Sequence, residues 1–205
     1  TDIKVAMAVA RAVCEEEGIL MTPALPFGVS TRWTAFPGTL SLKSTTFKQI
    51  IRELTEELWR RGFRRILLNN GHGGNTALLD EIMIEFNNTH PDARVGCFTG
   101  FNHPLVMKVS QEVGLDSGHA NWSENFVFTR VSSVPEGEKD PIAGWPRAAS
   151  AADYRQVLGD GSSGGPYQVS DDIMELVFNA MKEALKLELQ HLDEVFLEKV
   201  RKTRE

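Results

Sequence analysis

The stretch that most constrains this chain is residues 66–75, where an apolar run ends abruptly in a small-residue turn that carries one histidine, His72. The apolar run predicts a buried β-strand, and a helix is expected from about Thr76. Glycines on both sides of His72 let the backbone come close to whatever the histidine holds. In open α/β sheets, ligands bind beyond the carboxyl ends of the strands. We therefore expect His72 to bind a metal in a hydrolase site.

Helical and strand patterns alternate along the chain, which predicts an α/β fold with a mostly parallel sheet and helices on both faces. A single domain is expected over residues 1–190, followed by a charged helical tail over 191–205. Two long stretches, 23–39 and 114–168, carry little periodicity. The predicted helices are 2–17, 45–61, 76–88, 103–113, about 120–129 and 171–190, and the predicted strands are 19–22, 65–69 and 94–99.

Composition narrows the class of protein. The chain has 205 residues, 41% of them apolar, and a net charge of −6, and we find no basic stripe interleaved with aromatics, so a nucleic-acid partner is not expected. The two cysteines are expected to be free thiols in a reducing compartment. Neither a membrane-spanning run nor a signal peptide is visible, which predicts a cytoplasmic protein without a membrane partner. The chain begins at Thr1 in a helical pattern, so we expect further residues upstream.

Four residues could supply metal chemistry, namely Asp2, His72, His119 and Glu124. A metal hydrolase needs oxygen and imidazole ligands that converge from separate segments and leave a position open for water. Each candidate also has an ordinary interpretation. His72 could simply hydrogen-bond its own turn, and Glu124 could be a solvated helix residue. The glycines could cradle a phosphate, although the G-x-G-x-x-G pattern of dinucleotide sites is absent.

The string at residues 70–75, N-G-H-G-G-N, resembles the signature of the creatininase family, which are creatinine amidohydrolase-like metal hydrolases. Three other segments are similar to family motifs in the same order. Thr1-Asp2 resembles the end of the first metal motif. Residues 28–30 and 36–39 resemble a G-x-S…F-P-G-T loop, and residues 119–124 resemble an H-A-G-x-x-E motif.

This resemblance implies a three-layer αβα sandwich with two divalent metal ions, zinc or manganese, with iron as a further option. Asp2 would bridge the two metals, His72 would bind one of them, and His119 would transfer protons or orient the substrate. In creatininase itself a glutamate ligand occupies the position of Gly74. Glu124 is therefore expected to replace it as a ligand or supporting carboxylate, and to take part in catalysis with His119.

The resemblance also assigns residues to a small-molecule substrate, namely Ser30, Trp33, Gly73, Gly74, Asn121 and Trp122. Three tryptophans, Trp33, Trp122 and Trp145, could form an aromatic wall, although each could equally be packed in the core. The chain departs from the family pattern at Trp33 and Asn121, where substrate should be recognised, so creatinine is not assumed as the substrate.

The function implied is hydrolysis of a C–N bond in a cyclic amide or formamide of a small polar metabolite, through a metal-bridging hydroxide. Alternatives left open are a C–C hydrolase that opens an inosose-like cyclic ketone, a non-catalytic binding protein that has lost the metal site, and a nucleotide-binding domain that uses the glycine-rich turns. Family resemblance also implies a closed homo-oligomer, such as a hexamer.

Overall fold

A computed structural model of the chain describes residues 1–147 and 149–204. Helices and strands alternate through the first half, and the second half is mostly irregular until one long closing helix. The helices are α1 Asp2–Glu17, α2 Ser44–Arg60, α3 Thr76–Thr89, α4 Pro104–Glu112, α5 Ala151–Leu158 and α6 Asp171–Arg204, and the strands are β1 Arg65–Asn69, β2 Arg94–Phe98, β3 Glu138–Lys139 and β4 Gly165–Pro166.

The strands β1 and β2 pair in parallel, in register from Arg65 opposite Arg94 to Asn69 opposite Phe98. Their side chains alternate between two apolar layers, as the two-residue period of a strand requires. On one face Leu67 and Phe98 pack with the buried sides of α1, α4 and α6. On the other face Ile66 and its neighbours pack with α2 and α3. The expected α/β architecture, with helices on both faces of a parallel sheet, is confirmed.

Helix α1 follows from its apolar spacing, and it fixes the position of the first candidate ligand. Val5, Val9 and Val13 recur every four residues and are almost completely buried. The helix ends at Gly18, whose left-handed backbone (φ 66°) terminates it without a steric cost. This burial anchors α1 against the core, so that Asp2 at its first turn is held at the carboxyl end of β1.

Two predicted elements are wrong. Residues 19–22 form no strand, and Leu20 is 80% exposed, because no strand in the described ranges lies beside them to pair with their backbone. Residues 120–129 form two short 3₁₀ turns, Trp122–Glu124 and Val127–Thr129, instead of a helix. Here the Asn121 side chain accepts from the backbone N–H of Ser123, which satisfies the turn locally and starts no longer helix.

The closing helix α6 runs for 34 residues and continues through the stretch that was expected to be a separate charged tail. Glu205, the last residue of that predicted tail, lies outside the described residues, and the division at residue 190 stays a prediction. Within the described ranges, no helix is both long enough and apolar enough to cross a membrane. Both cysteines are free, as predicted.

Candidate active site

The turn that follows β1 is held by two buried asparagines. The Oδ1 atom of Asn70 accepts from the backbone N–H of His72 and from the side-chain amide of Asn75, both at 3.2 Å. The Asn70 amide donates to the hydroxyl of Thr99, beyond the end of β2, at 3.2 Å. Asn75 in turn accepts from the backbone N–H of Val29 at 2.9 Å. These bonds lock His72 in place and tie the long loop to the turn.

Two glycines of this turn are required by close approach of other backbone. A Cβ atom at Gly71 would overlap the backbone carbonyl of Asp2, so only glycine lets α1 come this near. A Cβ atom at Gly74 would lie 2.5 Å from the Nε2 atom of His72 and would overlap the carbonyl of Val29. The turn therefore accommodates His72 and the loop only because position 74 has no side chain.

His72 and Asp2, predicted as metal ligands, are brought into direct contact. The Nδ1 atom of His72 lies 2.9 Å from Oδ2 of Asp2, and Nε2 lies 3.1 Å from both the carbonyl of Val29 and the hydroxyl of Ser30. The hydrogen bond with Asp2 raises the pKa of His72, although burial of the ring opposes this shift. The Asp2 carboxylate and the Val29 carbonyl can only accept hydrogen bonds. When no metal is bound, this arrangement therefore favours a His72 ring that is protonated on both nitrogens.

Glu124 joins this group from a third segment of the chain. Its Oε1 atom accepts from the backbone N–H of Ala120 at 2.9 Å, and Ala120 adopts a left-handed backbone (φ 51°) that is uncommon for alanine. Burial raises the pKa of Glu124, and the nearby charge of Asp2 raises it further, whereas the Ala120 hydrogen bond and His119 lower it. Glu124 also contributes to the raised pKa of His72, so its carboxyl group lies within electrostatic range of that ring.

His119 is held from two sides by the glycine-rich stretch near residue 161. Its Nδ1 atom lies 2.9 Å from the carbonyl of Gly161, and its backbone N–H donates to the hydroxyl of Ser163 at 2.9 Å. A carbonyl can only accept, so Nδ1 carries a proton, and Nε2 of the neutral ring holds the lone pair. The ring stacks on Trp33 with centroids 4.0 Å apart and an angle of 7°. His119 is thus oriented to exchange a proton through Nε2.

Part of the predicted aromatic wall exists. Trp33 packs edge-on against Trp145 and Tyr154, with ring centroids 6.3 and 5.9 Å apart. Trp145 also lies edge-on to His119 at 6.2 Å. Trp33 and Trp145 therefore meet beside the candidate proton-transfer residue. Tyr154 was not anticipated from the sequence, since it lies in α5, far from every recognised motif.

Two predicted substrate contacts lie elsewhere. Trp122 is fully buried in the core, and its indole N–H donates to the carbonyl of Asp116 at 2.9 Å, so it does not reach a substrate. Asn121 is 4% exposed, and its amide donates to the carbonyls of Asp116 and Gly164. Both residues hold the 119–124 segment against its neighbours. We assign them a supporting position behind the site in place of a role in substrate binding.

The side chains at this site are of the kinds that bind divalent metals, but there are too few of them here to form a complete metal site. Carboxylates and imidazoles are the ligands that zinc and manganese take in proteins. Asp2 and His72 already touch, and Glu124 lies within electrostatic range of both of them and of His119. Among residues 1–147 and 149–204, however, no three His, Cys, Asp or Glu side chains are close enough together to hold a metal ion.

Comparison with known proteins gives a consistent picture. The profile of the family Creatininase, described as creatinine amidohydrolase, matches residues 1–187. Creatinine amidohydrolase of Pseudomonas putida is 34% identical over 85 residues, which cover 39% of this chain and 33% of that protein. The mycofactocin precursor peptide peptidase of Mycobacterium tuberculosis (strain ATCC 25618 / H37Rv) is 33% identical over 91 residues, which cover 38% of this chain and 35% of that protein. The matches thus span about a third of these curated relatives.

Solved structures show the same fold. A crystal structure of creatinine amidohydrolase (creatininase) superposes with a TM-score of 0.71 at 22% identity, and covers 93% of this chain and 81% of that one. A creatininase structure described by its manganese form gives a TM-score of 0.65 at 21% identity, over 93% of this chain and 81% of that one. At these identities the superpositions bear on the fold alone.

Proposed function

The chain belongs to the creatininase family, and from that premise we propose that it is a metal-dependent hydrolase of the amidohydrolase type. The observation that carries the proposal is the direct contact of Asp2 with His72, beside Glu124 and His119 at the carboxyl end of the parallel strands. Side chains from three distant segments converge there, and one glycine-rich turn and one glycine-rich stretch hold the two histidines.

The chain's own residues have distinct tasks in this proposal. Asp2 and His72 would hold the metal, with Glu124 as a further carboxylate. A bound divalent metal polarises a carbonyl and lowers the pKa of water. Asp2 fixes the orientation of the His72 ring through Nδ1, and the stack with Trp33 fixes that of His119. His119 gives or takes the proton at Nε2, which its Nδ1 bond to Gly161 leaves available.

A C–N bond is the favoured target. The two curated relatives are named for cleavage of a cyclic amide and of a peptide, both of which are amide bonds. This supports hydrolysis of a cyclic amide, a formamide or a related C–N bond over the ring opening of a cyclic ketone. Two metals, zinc or manganese, are proposed by analogy with a zinc–zinc form of a creatininase variant and a manganese form. Donors beyond those described here would then complete their coordination.

The test is metal content together with hydrolysis. The purified natural protein that contains these residues is analysed for bound metals and assayed with creatinine, hydantoin and N-formylglycine, with zinc or manganese supplied. We expect bound metal and release of product, and His72→Ala should reduce both. His191→Ala, at an exposed position of α6, is the matched control and should change neither. A protein that binds no metal and hydrolyses none of these compounds contradicts the proposal and favours a non-catalytic binding protein.

The expected closed homo-oligomer stays a prediction, and light scattering of the same preparation measures it.

A further inference from the structure

An open groove of about 710 Å³ lies beside the candidate site. Its aromatic side is formed by Trp145 and Tyr154, and the ring of Trp145 is 6.2 Å from that of His119. The groove therefore adjoins the place where a proton would be transferred. Two arginines, Arg32 and Arg147, also line it.

The groove carries two arginines whose charges are not balanced by an ion pair with any described residue. Arg32 lies with its guanidinium carbon 5.7 Å from the centre of the Tyr154 ring, and Arg147 lines the same space. The acid of the neighbouring helix, Asp153, is occupied by the hydroxyl and backbone N–H of Ser150. By contrast, the surface arginines Arg52, Arg65 and Arg130 each pair with a carboxylate within 2.8 Å.

We propose that this groove binds an oxyanionic group of the substrate, a carboxylate or a phosphate, between Arg32 and Arg147. The inference rests on the proposed function and names its substrate class. A guanidinium presents a planar fork that matches a carboxylate or phosphate with two parallel hydrogen bonds. Trp145, which is 48% exposed, offers flat apolar surface for the ring of a cyclic substrate. In a chain of net charge −6, two arginines that have no carboxylate partner among residues 1–147 and 149–204 favour a local positive potential in the groove.

The test measures binding of simple probes to chelator-treated protein, so that no metal contributes. Benzoate and phenyl phosphate are compared with the neutral benzamide by calorimetry, at low and at high salt. We expect both anions to bind at least about tenfold more tightly than benzamide, with an advantage that falls as salt rises. Whichever anion binds more tightly identifies carboxylate or phosphate as the natural group. Equal binding of all three probes overturns the proposal.

Variants test whether Arg32 and Arg147 cause the preference for anions. Arg32→Ala and Arg147→Ala should each weaken anion binding by about tenfold to a hundredfold and leave benzamide unaffected. Arg11→Ala is the control, since Arg11 is exposed on α1 and also forms no ion pair with a described residue. A loss of similar size in Arg11→Ala contradicts the proposal. Arg32→Lys and Arg147→Lys, which keep the charge, should lie between wild type and alanine.

One further variant separates this proposal from the proposed function. His72→Ala removes a candidate metal ligand but lies outside the groove lining, so it should keep the anion preference. If the preference disappears in His72→Ala, the anion binds at the Asp2–His72 site and the groove proposal is wrong. Because every measurement uses metal-free protein, a failure of the hydrolase proposal leaves the groove result intact.

Discussion

The Nδ1 atom of His72 lies 2.9 Å from the Oδ2 atom of Asp2, which joins the first turn of α1 to the turn after β1. These residues are 70 positions apart, and their contact depends on Gly71, where a side chain would overlap the backbone of Asp2. In metal-free protein the contact between Asp2 and His72 therefore holds α1 against the turn. When a metal is bound, the same two residues are proposed to be its ligands. Variants of this pair and of the residues around it test how these two roles divide.

Asp2→Asn should destabilise metal-free protein in a pH-dependent way. Asp2 is the main cause of the raised pKa of His72, so its stabilisation is fully present below the unfolded pKa of about 6.5 and is lost as pH rises through the folded value. We expect a loss of about 0.2–1 kcal/mol near pH 5.5, because Asp2 is half exposed, and a smaller loss near pH 9. Urea denaturation at the two pH values measures this difference.

Asp193→Asn is the matched control for that experiment. Asp193 pairs with Arg65 at 2.8 Å, and arginine stays charged over the whole range. Its effect on the free energy of unfolding should be the same at both pH values. A flat profile for Asp2→Asn as well would show that the Asp2–His72 contact does not control the charge of the ring.

The adjacent glycines of the turn should respond very differently to alanine. At Gly73 an added Cβ atom meets nothing within 4 Å, so Gly73→Ala should change stability by less than about 1 kcal/mol. At Gly74 it would lie 2.5 Å from Nε2 of His72, so Gly74→Ala should cost about 1–3 kcal/mol through overpacking. Gly74→Ala should also lower metal content, measured alongside thermal denaturation. Equal costs at the two positions would mean that the turn is looser than described.

Glu124→Gln should separate stability from function. Burial raises the pKa of Glu124, so its ionised form destabilises the folded protein at neutral pH. This destabilisation is relieved as the pH falls through the raised pKa toward the ordinary carboxyl value and Glu124 becomes protonated. The amide oxygen of glutamine can still accept the hydrogen bond from the Ala120 N–H, but the side chain carries no negative charge. We expect metal-free Glu124→Gln to melt higher than wild type at neutral pH, with the gap narrowing near pH 4.5. Its metal affinity should fall about tenfold to a hundredfold.

Glu57→Gln is the counterpart for that variant. The Glu57 side chain is about half exposed and pairs with Arg61, which lowers the pKa of its carboxyl, so its loss should not raise the melting temperature. If Glu124→Gln melts lower than wild type at neutral pH, the carboxylate contributes to folding by itself, and its assignment to the metal is weakened.

Helices and strands with a clear apolar pattern were predictable from the sequence. Whether a given side chain points toward the site or away from it was not. Helix α1 follows from apolar spacing that a helix satisfies, and strand β1 follows from a short apolar run that ends in a glycine-rich turn. Trp122 and Asn121 were assigned to substrate because they lie in a motif, but a motif does not say which side of the backbone faces the cavity. Their burial depends on hydrogen bonds to Asp116 and Gly164 that no local pattern reveals.

The same limit applies to groups that act through their backbone. The carbonyls of Val29 and Gly161 orient His72 and His119, yet a carbonyl is present at every residue and leaves no mark in a sequence. His90 shows the same limit for packing between helices. It is 8% exposed and lies 3.2 Å from Glu56, because α2 and α3 pack side by side, and no local pattern around residue 90 reveals this contact.

The proton position on His119 gives the last prediction. Since Nδ1 faces the carbonyl of Gly161 at 2.9 Å, the neutral ring should carry its proton there, and ¹⁵N chemical shifts should report the Nδ1–H form. His119→Asn places an amide donor near the Nδ1 position, whereas His119→Gln places one near Nε2. Both should lose hydrolysis by about 10²–10⁴-fold if Nε2 moves the proton. Only His119→Gln should also lose about 0.5–1.5 kcal/mol of stability, because it leaves the Gly161 carbonyl without its donor. A shift typical of Nε2–H, with equal stabilities for the two variants, would remove His119 from this role.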